Sequence, residues 1–473
     1  MAAVSTSPFP DATPDILHDA ARHSQDSITD DTWTITLGPW KLQLSNGAQR
    51  FLSALVLAPL ITFFLWSSPV FATTTVCAVV AAVSCYEYAW IAHRIHLRFI
   101  VTLEKYEEAN TVVHPSCSST GSGVSYQSNE PTYPVEMTPP TALERSQGQP
   151  PVGEVMEEEV VAFLNKSCAV TPVAARFFCG REWLVAIIVS VFGTIISSFL
   201  FRLVSSTDAF YTVNFGGYRM YYAVISSFAT WMCACLTPDW KYGTLLVFQQ
   251  ELFTGLTLYS MRCPINDFSC DNIIHPAMFL MFGIVGILVL RLLTSTGPID
   301  YVVHIMLDIL GFFYVIGTLF FIVSFVDVDR KATYRKLIIA LLYVVWAADS
   351  GAYFVGQVFD YFNYKNYHPL ASHISPRKDY EGTLIAVFVG MGTMFLASDV
   401  LSINGTIAEK LFFSATAVIV GRIGDLFQSL LKRAALVKHS GILIPGHGGV
   451  LDRIDALMFA SIVFSRYFGA IAD

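Results

Sequence analysis

Between Gly421 and Asp455 a mostly apolar chain becomes polar, and the residue types there are those that handle phosphate and divalent cations. The start of this segment continues an apolar block as a helix. On it Asp425, Ser429, Lys432 and Arg433 fall at i, i+4, i+7 and i+8, with Arg422 at i−3, so they share one face. A carboxylate on that face suits Mg²⁺, and the cations suit phosphate oxygens. The bland alternative is a membrane-helix end, with Lys432 and Arg433 anchored at headgroups and Asp425 paired with Arg422. Downstream, Pro445-Gly446-His447-Gly448-Gly449 is a loop whose backbone can approach an anion closely, and it lacks the Walker pattern. Asp452-Arg453-Ile454-Asp455 then opens a new helix, where the macrodipole alone would favour an acid such as Asp455. The gathering of carboxylates, cations and a glycine-rich turn is best explained as a Mg²⁺–polyphosphate site.

A second group lies upstream. Asp349 sits among small residues in Trp346-Ala347-Ala348-Asp349-Ser350-Gly351-Ala352-Tyr353, inside an apolar helix. A loop from Ile374 to Gly382 follows. Its Ser375, Arg377 and Lys378 suit phosphate, although the cations could equally anchor the chain at a basic membrane face.

These residues must be held by membrane helices. The 473-residue chain is 54% hydrophobic and 14% charged, against about 25% charge in soluble domains, and its mean hydropathy is +0.53. Apolar blocks near 51–91, 184–204, 218–236, 276–293, 299–326, 337–359, 383–401, 409–431 and 456–471, with a weaker one at 242–260, predict an all-α polytopic protein of about nine to ten membrane helices. The Ser67-Ser68-Pro69 break predicts a two-span hairpin in the first block. The organisation expected is a disordered polar N-terminus (1–45), a transmembrane hairpin (46–95), a polar low-complexity insertion (96–180), further membrane helices (181–295) and a catalytic membrane domain (296–473). Asp308, Asp349 and Asp425 lie within or at the ends of apolar stretches, which makes each a functional candidate. The net charge of −8 argues against nucleic acid. The nine cysteines show no metal-ligand spacing; Cys233 and Cys235 read as packing residues, and Cys263 and Cys270 could pair in an oxidising lumen.

Simple alternation of spans brings the 374–382 loop and the Lys432–Gly449 region to one membrane face, expected to be cytosolic because both are basic. It sends Arg330, Lys331, Arg335 and Lys336 to the other face, in tension with that charge rule.

Ser429-x-x-Lys432-Arg433, Lys438 and Pro445-x-His447-Gly448-Gly449-x-x-Asp452-Arg453-x-Asp455 together resemble the signature of the CDP-diacylglycerol synthases, the phosphatidate cytidylyltransferases. Asp349…Ala352-Tyr353…Gly356 and Ser375-Pro376-x-Lys378…Glu381-Gly382 match that family's other landmarks. The likeness covers roughly 299–473, with a weaker echo at 50–91 that ends in Tyr86-Glu87-Tyr88. The resemblance implies CMP transfer from CTP to phosphatidic acid, giving CDP-diacylglycerol and pyrophosphate. It further implies Mg²⁺ on Asp425 and Asp452, with Asp455 and Asp349 as further candidate ligands, and leaves room for a second, monovalent cation. Lys432, Arg433, Lys438 and Arg453 would bind phosphate beside Ser429, while His447, Gly448 and Gly449 cradle the nucleotide and Ser375 and Lys378 close over it. Two positions depart from the family pattern: His439, where Asp is usual, and Asp379, where Thr is usual.

Competing readings are a CTP-dependent polyprenol or lipid kinase and a membrane transporter. The expected partners are CTP, phosphatidic acid and the bilayer, with a homodimer as an option. The endoplasmic reticulum is the first expectation for the host membrane, ahead of plastid or mitochondrial inner membrane.

Overall fold

The computed structural model describes residues 34–37, 40–43, 58–112, 168–206, 217–262, 276–326, 331–362, 368–372, 374–441, 443 and 448–472. An antiparallel hairpin, β1 (Thr34–Leu37) and β2 (Trp40–Gln43), pairs Thr34 with Gln43 and Leu37 with Trp40. It falls within the stretch expected to be disordered. Alternating Thr, Ile, Leu and Trp around Gly38-Pro39 is strand-and-turn chemistry inside a polar background.

Twelve helices follow among the described residues. They are α1 (Ala58–Ser67), α2 (Pro69–Val112), α3 (Thr171–Phe177), α4 (Glu182–Ser205), α5 (Arg219–Cys235) and α6 (Trp240–Arg262). Then come α7 (Pro276–Thr294), α8 (Pro298–Ser324), α9 (Lys331–Tyr361), α10 (Tyr380–Leu401), α11 (Ile407–Ala434) and α12 (Leu451–Ala472). Among the described residues seven helices are long and apolar enough to span a bilayer: α2, α4 and α7 to α11. The all-α, multi-pass architecture holds. The expected nine to ten spans exceed seven because α5 is short, α6 carries Gln249, Gln250 and Glu251, and α12 carries Asp452, Arg453, Asp455 and Arg466.

The Ser-Ser-Pro break is a bend. Ser68 alone separates α1 from α2, and its N–H reaches Phe64 O (3.1 Å) while its carbonyl accepts from Ala72 N (2.8 Å). An antiparallel return needs a loop of about 2–5 residues. Proline at the first position of α2 is tolerated there because that N–H has no partner in any helix. The long α2 also runs into the stretch read as insertion, and the chain from Cys168 to Phe178 packs against α4 and α5. Cys263 and Cys270 lie outside the described residues; Cys235 is buried and Cys233 partly so, both as free thiols.

Contacts at the helix ends fix the two faces. Lys336 Nζ donates to Ser402 O (3.3 Å), Arg335 lies over the Trp66 ring (3.9 Å), and Tyr467 OH reaches Asn404 O (3.3 Å). At the opposite end Arg98 donates to Ala434 O (3.2 Å) and Arg433 Nε to Ile374 O (3.5 Å). Arg335 and Lys336 are therefore on the face away from Lys378 and Lys432, as alternation requires. Both faces are basic.

In α8 the residues Phe312–Gly317 form a π-helical turn. The Leu307 carbonyl upstream of it accepts from Tyr88 OH (2.7 Å), and Tyr314 within it donates to the buried Gln428 of α11 (2.9 Å). This irregular turn packs directly beneath the polar end of α11, through Tyr314 against Phe427 and Phe459.

Candidate active site

α11 starts at a capping box, with Thr406 and Glu409 satisfying each other's backbone N–H groups, and ends with Lys432 and Arg433 in its last turn. Its neighbour α12 comes very close at Gly424. A Cβ there would sit 2.7 Å from the Asp455 carbonyl and as near to the Phe459 ring. That approach lays the buried Asp455 carboxyl against Asp425. Asp349 of α9 completes the group: Arg422 Nη1 lies 3.6 Å from Asp349 Oδ1 and 3.7 Å from Asp425 Oδ2.

A cation enters this group from the 374–382 segment, which forms a short strand, β4 (Ser375–Asp379), antiparallel to β3 (Pro369–Ala371). Lys378 Nζ meets Asp425 Oδ1 (2.7 Å), Asp425 O (2.8 Å) and Ser429 Oγ (2.9 Å). Burial pulls the Lys378 ammonium below its usual range, and Asp425 opposes this without cancelling it. Asp379, where the resemblance leads one to expect Thr, caps α10 by accepting from Gly382 N (2.9 Å). Either residue type can make that cap.

The second cluster centres on Asp452, whose side chain is 8% exposed. Its Oδ1 accepts from Lys432 Nζ (2.8 Å), and its Oδ2 from Ser440 N (2.9 Å) and Gly449 N (3.4 Å). His439 Nδ1 is 3.8 Å from the same oxygen. The histidine that replaces the usual Asp thus faces a carboxylate. Burial alone would raise the Asp452 carboxyl; His439, Lys432 and the Ser440 amide outweigh it and hold the group well below the ordinary carboxylate range. Gly448 takes φ +88°, a conformation that favours glycine, as the chain turns into α12.

Sequence reasoning assigned no role to Glu87, which the structure places at the centre of this loop. From α2 it accepts from Val450 N (2.9 Å), Leu451 N (2.8 Å) and Ser440 Oγ (2.8 Å). It thereby caps α12 and ties both ends of the α11–α12 connection to one carboxylate. Its one sequence signal was a lone acid between two tyrosines in an apolar helix.

The remaining candidates are distributed around these clusters. Asp425, Ser429, Lys432, Lys378, Asp349, Asp455 and Asp452 converge. Arg433 and Lys438 are exposed at the end of α11 and just beyond it, Arg453 is exposed on the first turn of α12, and Ser375 begins β4 opposite Ala371. Gly448 and Gly449 line the loop, and His447 lies outside the described residues. The geometry offers carboxylate oxygens and lysine ammoniums in alternation along one face, which can hold a polyanion together with a hard cation.

A model of the Cytidylyltransferase family matches residues 164–471. The chain belongs to that family. The match reaches further upstream than the likeness at 299–473, and α2 with Glu87 lies outside it. A phosphatidate cytidylyltransferase of Haemophilus influenzae is 41% identical over 135 residues, which cover 27% of this chain and 44% of that protein. One from Thermotoga maritima is 36% identical over 163 residues (32% and 57%). Phosphatidate cytidylyltransferase 4, chloroplastic, of Arabidopsis thaliana is 38% identical over 115 residues (24% and 28%). The chain thus spans about half, or less, of the length of these curated relatives. The resemblance to the CDP-diacylglycerol synthases read from the signature residues agrees with this membership.

Proposed function

We propose that this protein transfers CMP from CTP to phosphatidic acid, giving CDP-diacylglycerol and pyrophosphate. The observation that carries the reading is the alternation of Lys378–Asp425 and Lys432–Asp452 contacts along one end of α11, in a multi-pass member of the cytidylyltransferase family. The relatives' names support the same reaction.

A phosphatidate oxygen attacks the α-phosphorus of CTP, and the bond to the bridging oxygen breaks as pyrophosphate leaves. The lipid phosphate is already anionic at neutral pH, so the demand is to align two anions and offset their charge rather than to supply a strong base. Lys432 and Lys378 sit where they can exchange their carboxylates for phosphate oxygens, with Arg433, Lys438 and Arg453 on the exposed side as additional cations. The loop around Ser440 and Gly449, held by Asp452 and Glu87, would receive the nucleotide phosphates, with His447 in the role that the resemblance implies. The acidic group is oxygen-only, a donor set that fits Mg²⁺. Asp425 and Asp452 would hold the ion, with Asp349 and Asp455 nearby, and when bound it would neutralise charge on the triphosphate.

Membranes containing the protein, given phosphatidic acid and CTP labelled at the α- or γ-phosphate, test the reading. Label should reach lipid from the α position. Transfer from γ alone would instead make the protein a lipid kinase. Its host membrane is proposed to be the endoplasmic reticulum; the chloroplastic relative favours a plastid as the second reading, and imaging of the tagged protein separates the two.

A further inference from the structure

Away from the carboxylate–lysine face, α2 and α8 bring two histidines onto one acid. His96 Nε2 is 2.8 Å from Asp300 Oδ1, and His304 Nδ1 lies 3.1 Å from the same oxygen and 2.9 Å from the Asp300 carbonyl oxygen. Both histidines are buried, their rings are 3.8 Å apart, and Asp300 is the accessible member of the group. The three ligand atoms lie within 4.8 Å of one another. The other carboxylate oxygen is fixed separately, accepting from Thr296 N (3.1 Å) and Thr296 Oγ1 (3.3 Å). The nearby Arg291 is neutralised by Asp308.

We infer that His96, Asp300 and His304 form a site for a Zn²⁺-class divalent ion, separate from the carboxylate–lysine face and independent of the reaction proposed there. Without a metal, each imidazole nitrogen needs a proton to approach that oxygen, and His304 shares its proton with the Asp300 carbonyl; a divalent ion would replace both protons and release that carbonyl bond. Zn²⁺ bonds nitrogen and oxygen at about 2.0–2.2 Å, so tetrahedral ligands stand about 3.3–3.5 Å apart. The two nitrogen–oxygen spacings need to open by only about 0.2–0.7 Å to reach that geometry. Asp300 and His304 are one helical turn apart, which puts both ligands on one face of α8, and His96 closes the set from α2. The soft-to-borderline imidazoles select against Mg²⁺. Thr296 acts as the outer partner that orients the carboxylate. Such an ion would staple α2 to α8 nine residues beyond Glu87, about 13.5 Å along the helix.

The test uses full-length protein purified in detergent, stripped with chelator and titrated with Co²⁺ in excess Mg²⁺, which occupies hard oxygen sites. One equivalent of Co²⁺ should bind with visible ligand-field absorption and be displaced by Zn²⁺. His304→Ala should weaken binding by at least about 100-fold, and His96→Gln, which preserves shape and hydrogen bonding, should do the same. Asp452→Asn should leave it unchanged. An absent Co²⁺ spectrum in the wild-type protein would overturn the inference, as would binding that survives in both histidine variants or is lost in Asp452→Asn.

Discussion

Asp308 on α8 and Asp425 on α11 are both carboxylates in apolar helices, and each faces an arginine. Around Asp308 the account closes: Arg291 donates from Nε to Oδ2 and from Nη2 to Oδ1 (3.0 Å), and the two side chains are 2% and 3% exposed. Tyr242 covers the guanidinium, 4.7 Å from its ring centre. Around Asp425 nothing closes so neatly. Asp455 and Asp349 add two further carboxyl groups, Lys378 and Arg422 add positive charge, and Asp349 remains 49% exposed. Intramembrane acids invite a functional reading by default. The contrast shows that the manner of compensation is the better guide: one cation matched to one anion is architecture, whereas several of each with an open side awaits further charge.

That distinction can be broken experimentally. Arg291→Ala leaves Asp308 buried and unpaired, and should lower stability by about 3–5 kcal/mol, read as thermal unfolding in detergent. A wild-type unfolding midpoint would mean the pair is not architectural. Asp425→Asn should instead reduce the proposed CMP transfer on the order of 10²- to 10³-fold while unfolding near the wild-type midpoint; collapse of the fold would place Asp425 in the same class as Asp308. Glu87→Gln removes a charge-assisted anchor of the loop, worth about 1.5–3 kcal/mol, and should raise the KM for CTP by about tenfold or more. An unchanged KM would separate the loop from nucleotide binding. The smallest effect belongs to the double variant Arg291→Met/Asp308→Leu, which should match wild-type stability or exceed it by about 1–4 kcal/mol and retain activity. A large activity loss there would show that the buried pair serves the reaction.

Helical spacing made much of this legible. Asp425, Ser429 and Lys432 share a face because a 3.6-residue period requires it, and the segment that carries Lys378 meets them by counting spans. Other features were hidden because they depend on chain segments brought together across the fold. Glu87 reaches Leu451 N across 364 positions, and no local pattern encodes that meeting. His96 and the Asp300–His304 turn are similarly split between two helices. The bend at Ser68 is not distinguishable from a hairpin in the sequence, since Ser-Ser-Pro punctuates a chain equally well as a turn or as the first turn of a new helix. Asp308 reads in the sequence as a functional candidate, but its partner Arg291 lies on another helix, so sequence alone does not show that its charge is already met.

The three hydrogen bonds to Glu87 bear on how this protein could be divided. The stretch matched by its relatives looks like a portable module, yet the loop that would receive the nucleotide is fastened from α2, far upstream. A fragment starting at residue 296 would keep Asp425, Lys432 and Asp452 and lose the clasp on the peptide between them. The smallest working unit must therefore include α2, supplied either in the same chain or as a co-expressed piece that reassembles with the rest.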